Sequence, residues 1–195
     1  ALHRAGLSFG STFERDALLH QVLEALTHEL NYNSAMVSMF DPCEQSVQHI
    51  RLIGAPAEVE TFAQSCRIPI IDCESPEGTV VLQGRPLLIK DIESIRHSLH
   101  PLNQRLAELS GTKALIVVPI KTKDRIWGML TVDRSHNQSV TEDDLELMMT
   151  VASQVSIALD NASAYQQIEE WNQGLEVKVK ERTEALERAD RLRAQ

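Results

Sequence analysis

From Thr141 to Gln195 the chain contains no proline, and its last 21 residues, LEVKVKERTEALERADRLRAQ, carry charge at nearly every other position with no aromatic residue and no glycine. Proline breaks a helix interior because it lacks a donor and clashes with the preceding turn. Its absence lets the whole stretch form one helix, about 80 Å long at 1.5 Å per residue. That is far longer than the domain it leaves. Thr141 is the expected cap, Glu142, Asp143 and Asp144 favour the positive end of the helix, and Leu145, Met148, Met149, Ala152, Val155 and Leu159 form a stripe to be buried.

Beyond Asn161 the apolar spacing tightens to seven. Tyr165, Asn172, Val179 and Leu186 fall at one seam position, and Ile168, Leu175 and Ala189 at the other, the a and d places of a coiled coil. Asn172 weakens the seam while fixing register, and Arg182 at a d position leaves it poor near the end. Left alone, Leu175, Val179 and Leu186 would each forgo roughly 1.5–3 kcal/mol of burial. A parallel homodimer recovers it. The competing expectation is one solvated helix held by i,i+4 charge pairs.

Composition narrows the partners. A net charge of −9 over 195 residues argues against nucleic acid, since phosphate binding needs a concentrated basic surface. No apolar run approaches the ~20 residues that span a bilayer, so membrane insertion of this chain is not expected. The start, ALHRAGLSFG, lacks the apolar core of a signal peptide. It also lacks an initiator Met, which leads us to expect a piece of a longer chain. Cys43, Cys66 and Cys73 are an odd set without C-x-x-C, the pattern of neither a disulfide scaffold nor a zinc ribbon, and a reducing cytoplasm is the expected setting.

Residues 1–11 read as an extension. From Thr12 to Leu30, Leu18, Leu19, Val22, Leu23, Leu26 and Leu30 share one helical face, with Ser11 or Thr12 as cap. SAMVSMF and VQHIRLIG read as strands of a hairpin closed by DPCEQS, with Asp-Pro opening the turn. PAEVETFAQS has a helical period, CRIPII reads as a short strand, Ser75-Pro76-Glu77 starts a helix that Gly84 ends, and RPLLIKDI is another strand. After an irregular stretch that turns helical at LNQRLAEL, the apolar runs KALIVVPIKTK and RIWGMLTVDR predict two central strands covered on both faces, joined around Lys123-Asp124. The order fits an α+β fold, an antiparallel sheet flanked by helices, which we expect mainly on one side.

SPEGTVVLQGRPLLIKDI, GTKALIVVPIKTKDRIWGMLTVDRS and VTEDDLELMMTVASQVSIALDNA, in this order and spacing, resemble the consecutive signatures of a GAF domain over residues 12–164. The tail, residues 165–195, is similar to the linkers that precede the phosphoacceptor helix of sensor histidine kinases, and also to those before nucleotide and diguanylate cyclases. The resemblance implies a sensory module of a bacterial signalling protein, most simply a histidine kinase, whose output domain follows in the same chain. A cyclase regulator is the alternative within signalling. A ligand-free structural dimerisation module is the alternative outside it.

No catalytic constellation is present in the sequence: no G-x-x-x-x-G-K-[ST], no G-x-S-x-G and no H-E-x-x-H. The chain by itself is not expected to be an enzyme. The resemblance implies a pocket between sheet and lid, and its ligand is left open. Bilin-binding relatives attach the pigment through a lid cysteine, which HSLHPLNQRLAELSGTK lacks. Cyclic-nucleotide-binding relatives carry Asn-Lys, then Phe and Asp-Glu; here Asn137 and Asp144 remain, but Gln138, Val140 and Leu145 replace the others. Both readings are disfavoured. Haem or another metal stays open through His97 and His100, three apart and expected on one side of a helical turn, while His20, His28, His49 and His136 read as surface residues. By expected position the pocket candidates are Ile68, Ile70, His97, His100, Arg105, Val117, Met129 and Thr131, with Arg105 suited to an anionic ligand.

Overall fold

The computed structural model describes residues 16–70, 72–123, 125–134 and 139–193, the last ten as backbone alone. The predicted caps Ser11 and Thr12, the positions Asn137 and Gln138, and the side chains of Leu186 and Ala189 lie outside the described residues.

Helix α1, residues 16–28, buries Leu19, Leu23 and Leu26 and leaves Leu30, beyond its end, exposed. Asn31 takes a left-handed φ of 58°, and the Tyr32 N–H returns to the Leu26 carbonyl at 3.2 Å, turning the chain into the sheet. Strands β1 (Ser34–Asp41) and β2 (Ser46–Ile53) form the predicted hairpin. Asp41 closes it by accepting from the Cys43 and Glu44 N–H groups at 2.9 and 3.1 Å. The chain continues through α2 (Ala57–Ser65), β3 (Arg67–Pro69), α3 (Pro76–Val81), β4 (Leu87–Ile89), a 3₁₀ turn (Ile92–Ser98), α4 (Pro101–Ser110), β5 (Ala114–Lys121), β6 (Ile126–Arg134) and α5 (Glu142–Arg193).

The six strands lie in the order β3-β2-β1-β6-β5-β4, with every pair antiparallel. Helices cover both faces rather than mainly one, because strand alternation sends apolar residues both ways. Ala35, Val37, Ile116, Val118, Leu130 and Val132 meet Leu19, Leu23 and Leu26 of α1 and Met148, Ala152, Val155 and Leu159 of α5 in one apolar core. On the other face, Met36 and Leu52 pack with Val59 and Ala63 of α2 and Leu106 of α4, while Val117 and Met129 pack with Val80 and Val81 of α3. Gly78 permits the close seat of α3: a Cβ there would come within 2.0 Å of the Asp72 carbonyl oxygen.

Helix α5 runs 52 residues without interruption, about 78 Å. Thr141 and Asp144 cap each other, the Asp144 N–H donating to Thr141 Oγ1 at 3.2 Å and Thr141 Oγ1 to Asp144 Oδ2 at 2.8 Å. Trp127 fastens the domain's far end to the helix, its indole N–H donating to Asp160 at 2.6 Å.

Candidate functional site

A cavity of about 90 Å³ lies on the sheet face opposite α1 and α5, beneath α3, the 3₁₀ turn and α4. Its walls are mostly apolar: Met36, Leu52, Ile89, Ile92, Leu99, Leu106, Leu115, Val117 and Met129. Two buried polar groups break them.

The first is a directed chain of hydrogen bonds. Ser38 Oγ lies 2.7 Å from His49 Nδ1, and His49 Nε2 lies 2.9 Å from Asn103 Oδ1. An amide oxygen only accepts, so Nε2 carries the proton and Nδ1 accepts from Ser38. Asn103 Nδ2 then donates to Glu77 Oε1. Every donor points towards Glu77, which α3 holds in its first turn through the Ser75 cap, whose Oγ accepts from Gly78 N–H at 3.0 Å. Burial pushes the Glu77 carboxyl up despite the Asn103 bond and the field of His100. Burial likewise holds the His49 imidazole below its ordinary range, and so neutral.

The second group is Asp133 on β6. It accepts from Ser34 N–H at 2.7 Å, Ser34 Oγ at 2.5 Å and Thr112 Oγ1 at 2.6 Å. Burial raises this carboxyl too, against those three donors. The next residue, Arg134, takes the opposite side of the strand. Its guanidinium sits 4.6 Å from the Tyr32 ring centroid and 3.3 Å from Asp144 Oδ1, and Tyr32 Oη donates to the same oxygen at 2.8 Å. Burial works to raise Asp144, but the bonds from Tyr32 and Thr141 and the charge of Arg134 outweigh it and hold the carboxyl low. Consecutive residues of β6 thus face the cavity and clamp the start of α5.

Of the residues expected at a pocket, Val117, Met129 and Thr131 line this cavity. Ile68, Ile70, His97, His100 and Arg105 do not. Strand β3 pairs with the Val47 end of β2, away from Leu52, so Ile68 is buried beside Val47 and Ile70 joins Val47, Val80 and Val81. His97 and His100 do not share one helical turn: His97 is exposed near the end of the 3₁₀ segment, and His100 caps α4, its Nδ1 accepting from Leu102 N–H at 3.3 Å. Arg105 is exposed and pairs with Glu108 at 3.3 Å. Nor is His49 a surface residue; it is 1% exposed. The signal for it was the period of two from buried Val47, and for Glu77 its place in a helix whose next residue is a close-packed glycine. Among the described residues no group of His, Cys, Asp and Glu side chains is arranged to hold a metal ion, and no helix is long and apolar enough to cross a membrane.

The GAF domain family model matches residues 14–159, the sheet and its covering helices together. This chain belongs to the GAF family. Among curated proteins the GAF chain is similar to the circadian input-output histidine kinase CikA of Thermosynechococcus vestitus, 26% identical over 90% of this chain and 27% of that protein. It is also similar to CikA of Synechococcus elongatus, 27% identical over 83% of this chain and 18% of that protein. The chain therefore spans about a quarter or less of these relatives' length. Among solved structures, the blue-light-absorbing form of the Thermosynechococcus elongatus PixJ GAF domain superposes with a TM-score of 0.64 at 18% identity, covering 82% of this chain and 93% of that one. That likeness concerns the fold.

Proposed function

We propose that this GAF domain is the regulatory module of a bacterial sensor histidine kinase, without catalytic activity of its own, and that it relays a signal through a parallel dimer of α5 to an output domain in the same chain. The observation that carries this reading is the face of α5 beyond the domain. Tyr165, Ile168, Trp171, Leu175, Val177 and Val179 are each 51–74% exposed on a helix whose upper part is buried. Five of them, with the polar Asn172, cluster at or beside one heptad seam, and only Val177 points away. Similarity to the CikA kinases favours a kinase over a cyclase as the parent. The cavity and the start of α5 are joined through Asp133 and Arg134, so a change of packing at the sheet reaches the rod without crossing the core.

Cysteine cross-linking of the full chain tests the pairing. With Cys43 and Cys73 replaced by serine, Val179→Cys at the seam should give a disulfide dimer under mild oxidation, because a parallel pair brings identical seam positions within the reach of an S–S bond, about 7 Å between Cα atoms. Val177→Cys, two residues away on the outward face, should not. Equal cross-linking at both positions would point to random collision and remove the support for a seam.

A further inference from the structure

We infer that the cavity under α3 and α4 takes a small organic cation, a primary alkylammonium, whose charged head is received by Glu77. The inference rests on reading the chain as a ligand-responsive module, and it adds the class of ligand. No Lys or Arg lines the cavity, whereas two carboxylates do; an anionic ligand would meet only repulsion. Asp133 is already supplied, with three donors shared over both its oxygens. Glu77 has fewer: it is 5% exposed and accepts from Asn103 at Oε1 and from its own backbone N–H. A buried carboxylate is stable as an ion only when paired, and no cationic side chain lines the cavity to pair with it. The chain from Ser38 through His49 and Asn103 brings one donor to Glu77 without offsetting its burial, so a cationic head beside it would supply the missing counter-charge.

The rest of the wall selects the body of the ligand. Met36, Leu52, Leu106, Val117 and Met129 offer hydrocarbon without hydrogen-bonding groups. The volume of about 90 Å³ is smaller than a cavity of about 150 Å³ that accepts benzene, which suits an aliphatic chain of about four carbons.

Isothermal titration of the full chain with n-butylammonium, 1-butanol and butyrate tests the assignment, since the three share size and differ in the head. Butylammonium should bind at least tenfold more tightly than 1-butanol, and butyrate should not bind measurably. Glu77→Gln, which keeps the acceptor for Asn103 and removes the charge, should cut butylammonium affinity at least tenfold and leave 1-butanol unchanged. Equal affinity for amine and alcohol, preference for butyrate, or no binding by any probe would each overturn the assignment. The wild-type comparison stands even if the variant fails to fold. Dimerisation through α5 is measured independently of these titrations, so a wrong ligand class and a wrong relay are told apart.

Discussion

Single residues in this domain act mainly through what their burial forbids. Asp133 accepts from a backbone N–H and two hydroxyls, and all four groups sit at or near the buried end of β6. Asp133→Ala should therefore destabilise the fold by about 2–4 kcal/mol, read as a fall in the urea midpoint. Glu77 gives a prediction in pH. Its carboxyl is raised in the folded state, so above the ordinary value of 4.5 the unfolded chain loses its proton first and native stability falls as pH rises. Glu77→Gln lacks that fall. Its stability relative to the parent chain should be near zero at pH 4 and grow towards pH 8; a difference independent of pH would show that Glu77 titrates as in the unfolded chain. Asp144 has the opposite sign. Held low in the folded state, it contributes stability that is present above 3.8 and lost as pH falls through its folded value. In Asp144→Asn the acid loss attributable to this clamp should be absent.

At the scale of elements the sequence was legible wherever a period was long or a local rule was strong. The stripe of α5, the Asp41 turn, the Ser75 cap and the two central strands followed from patterns that act within a few residues. What escaped were placements made by distant strands. The period of two from Val47 marks His49 as inward-facing, but its partner is set by β1, which pairs with β2 across a bulge at Val37/Ser38 and places Ser38 opposite it, and nothing local announces that pairing. Three residues make about one helical turn, which suggests His97 and His100 as a pair, but the extended backbone of Leu99 and His100 ends the 3₁₀ segment before α4 begins and separates their roles. The most local prediction concerns Gly174, inside α5 with nothing within 4 Å of where its Cβ would lie. Gly174→Ala should raise helicity and add about 1 kcal/mol to the rod, seen by circular dichroism on melting. If Gly174 and Asn172 form a compliant joint, the same change in the longer parent protein should shrink the difference in output between its signalling states.

The molecule as a whole joins two unlike parts: a sheet domain that satisfies its apolar surface internally, and a helix that does not. The upper part of α5 belongs to the core, with Met148 and Ala152 fully buried; the lower part presents Ile168, Leu175 and Val179 to solvent. The burial those residues forgo, summed, is several kcal/mol, enough to drive association of two copies at ordinary protein concentrations. Sedimentation equilibrium on the full chain and on a chain ending at Ala164 measures this most directly. The full chain should be a dimer at about ten to fifty micromolar, where a weak coiled coil is already paired, and the shortened chain should associate at least tenfold more weakly. A full chain that remains monomeric in that range, or a shortened chain that dimerises equally well, would contradict the rod as the coupling element.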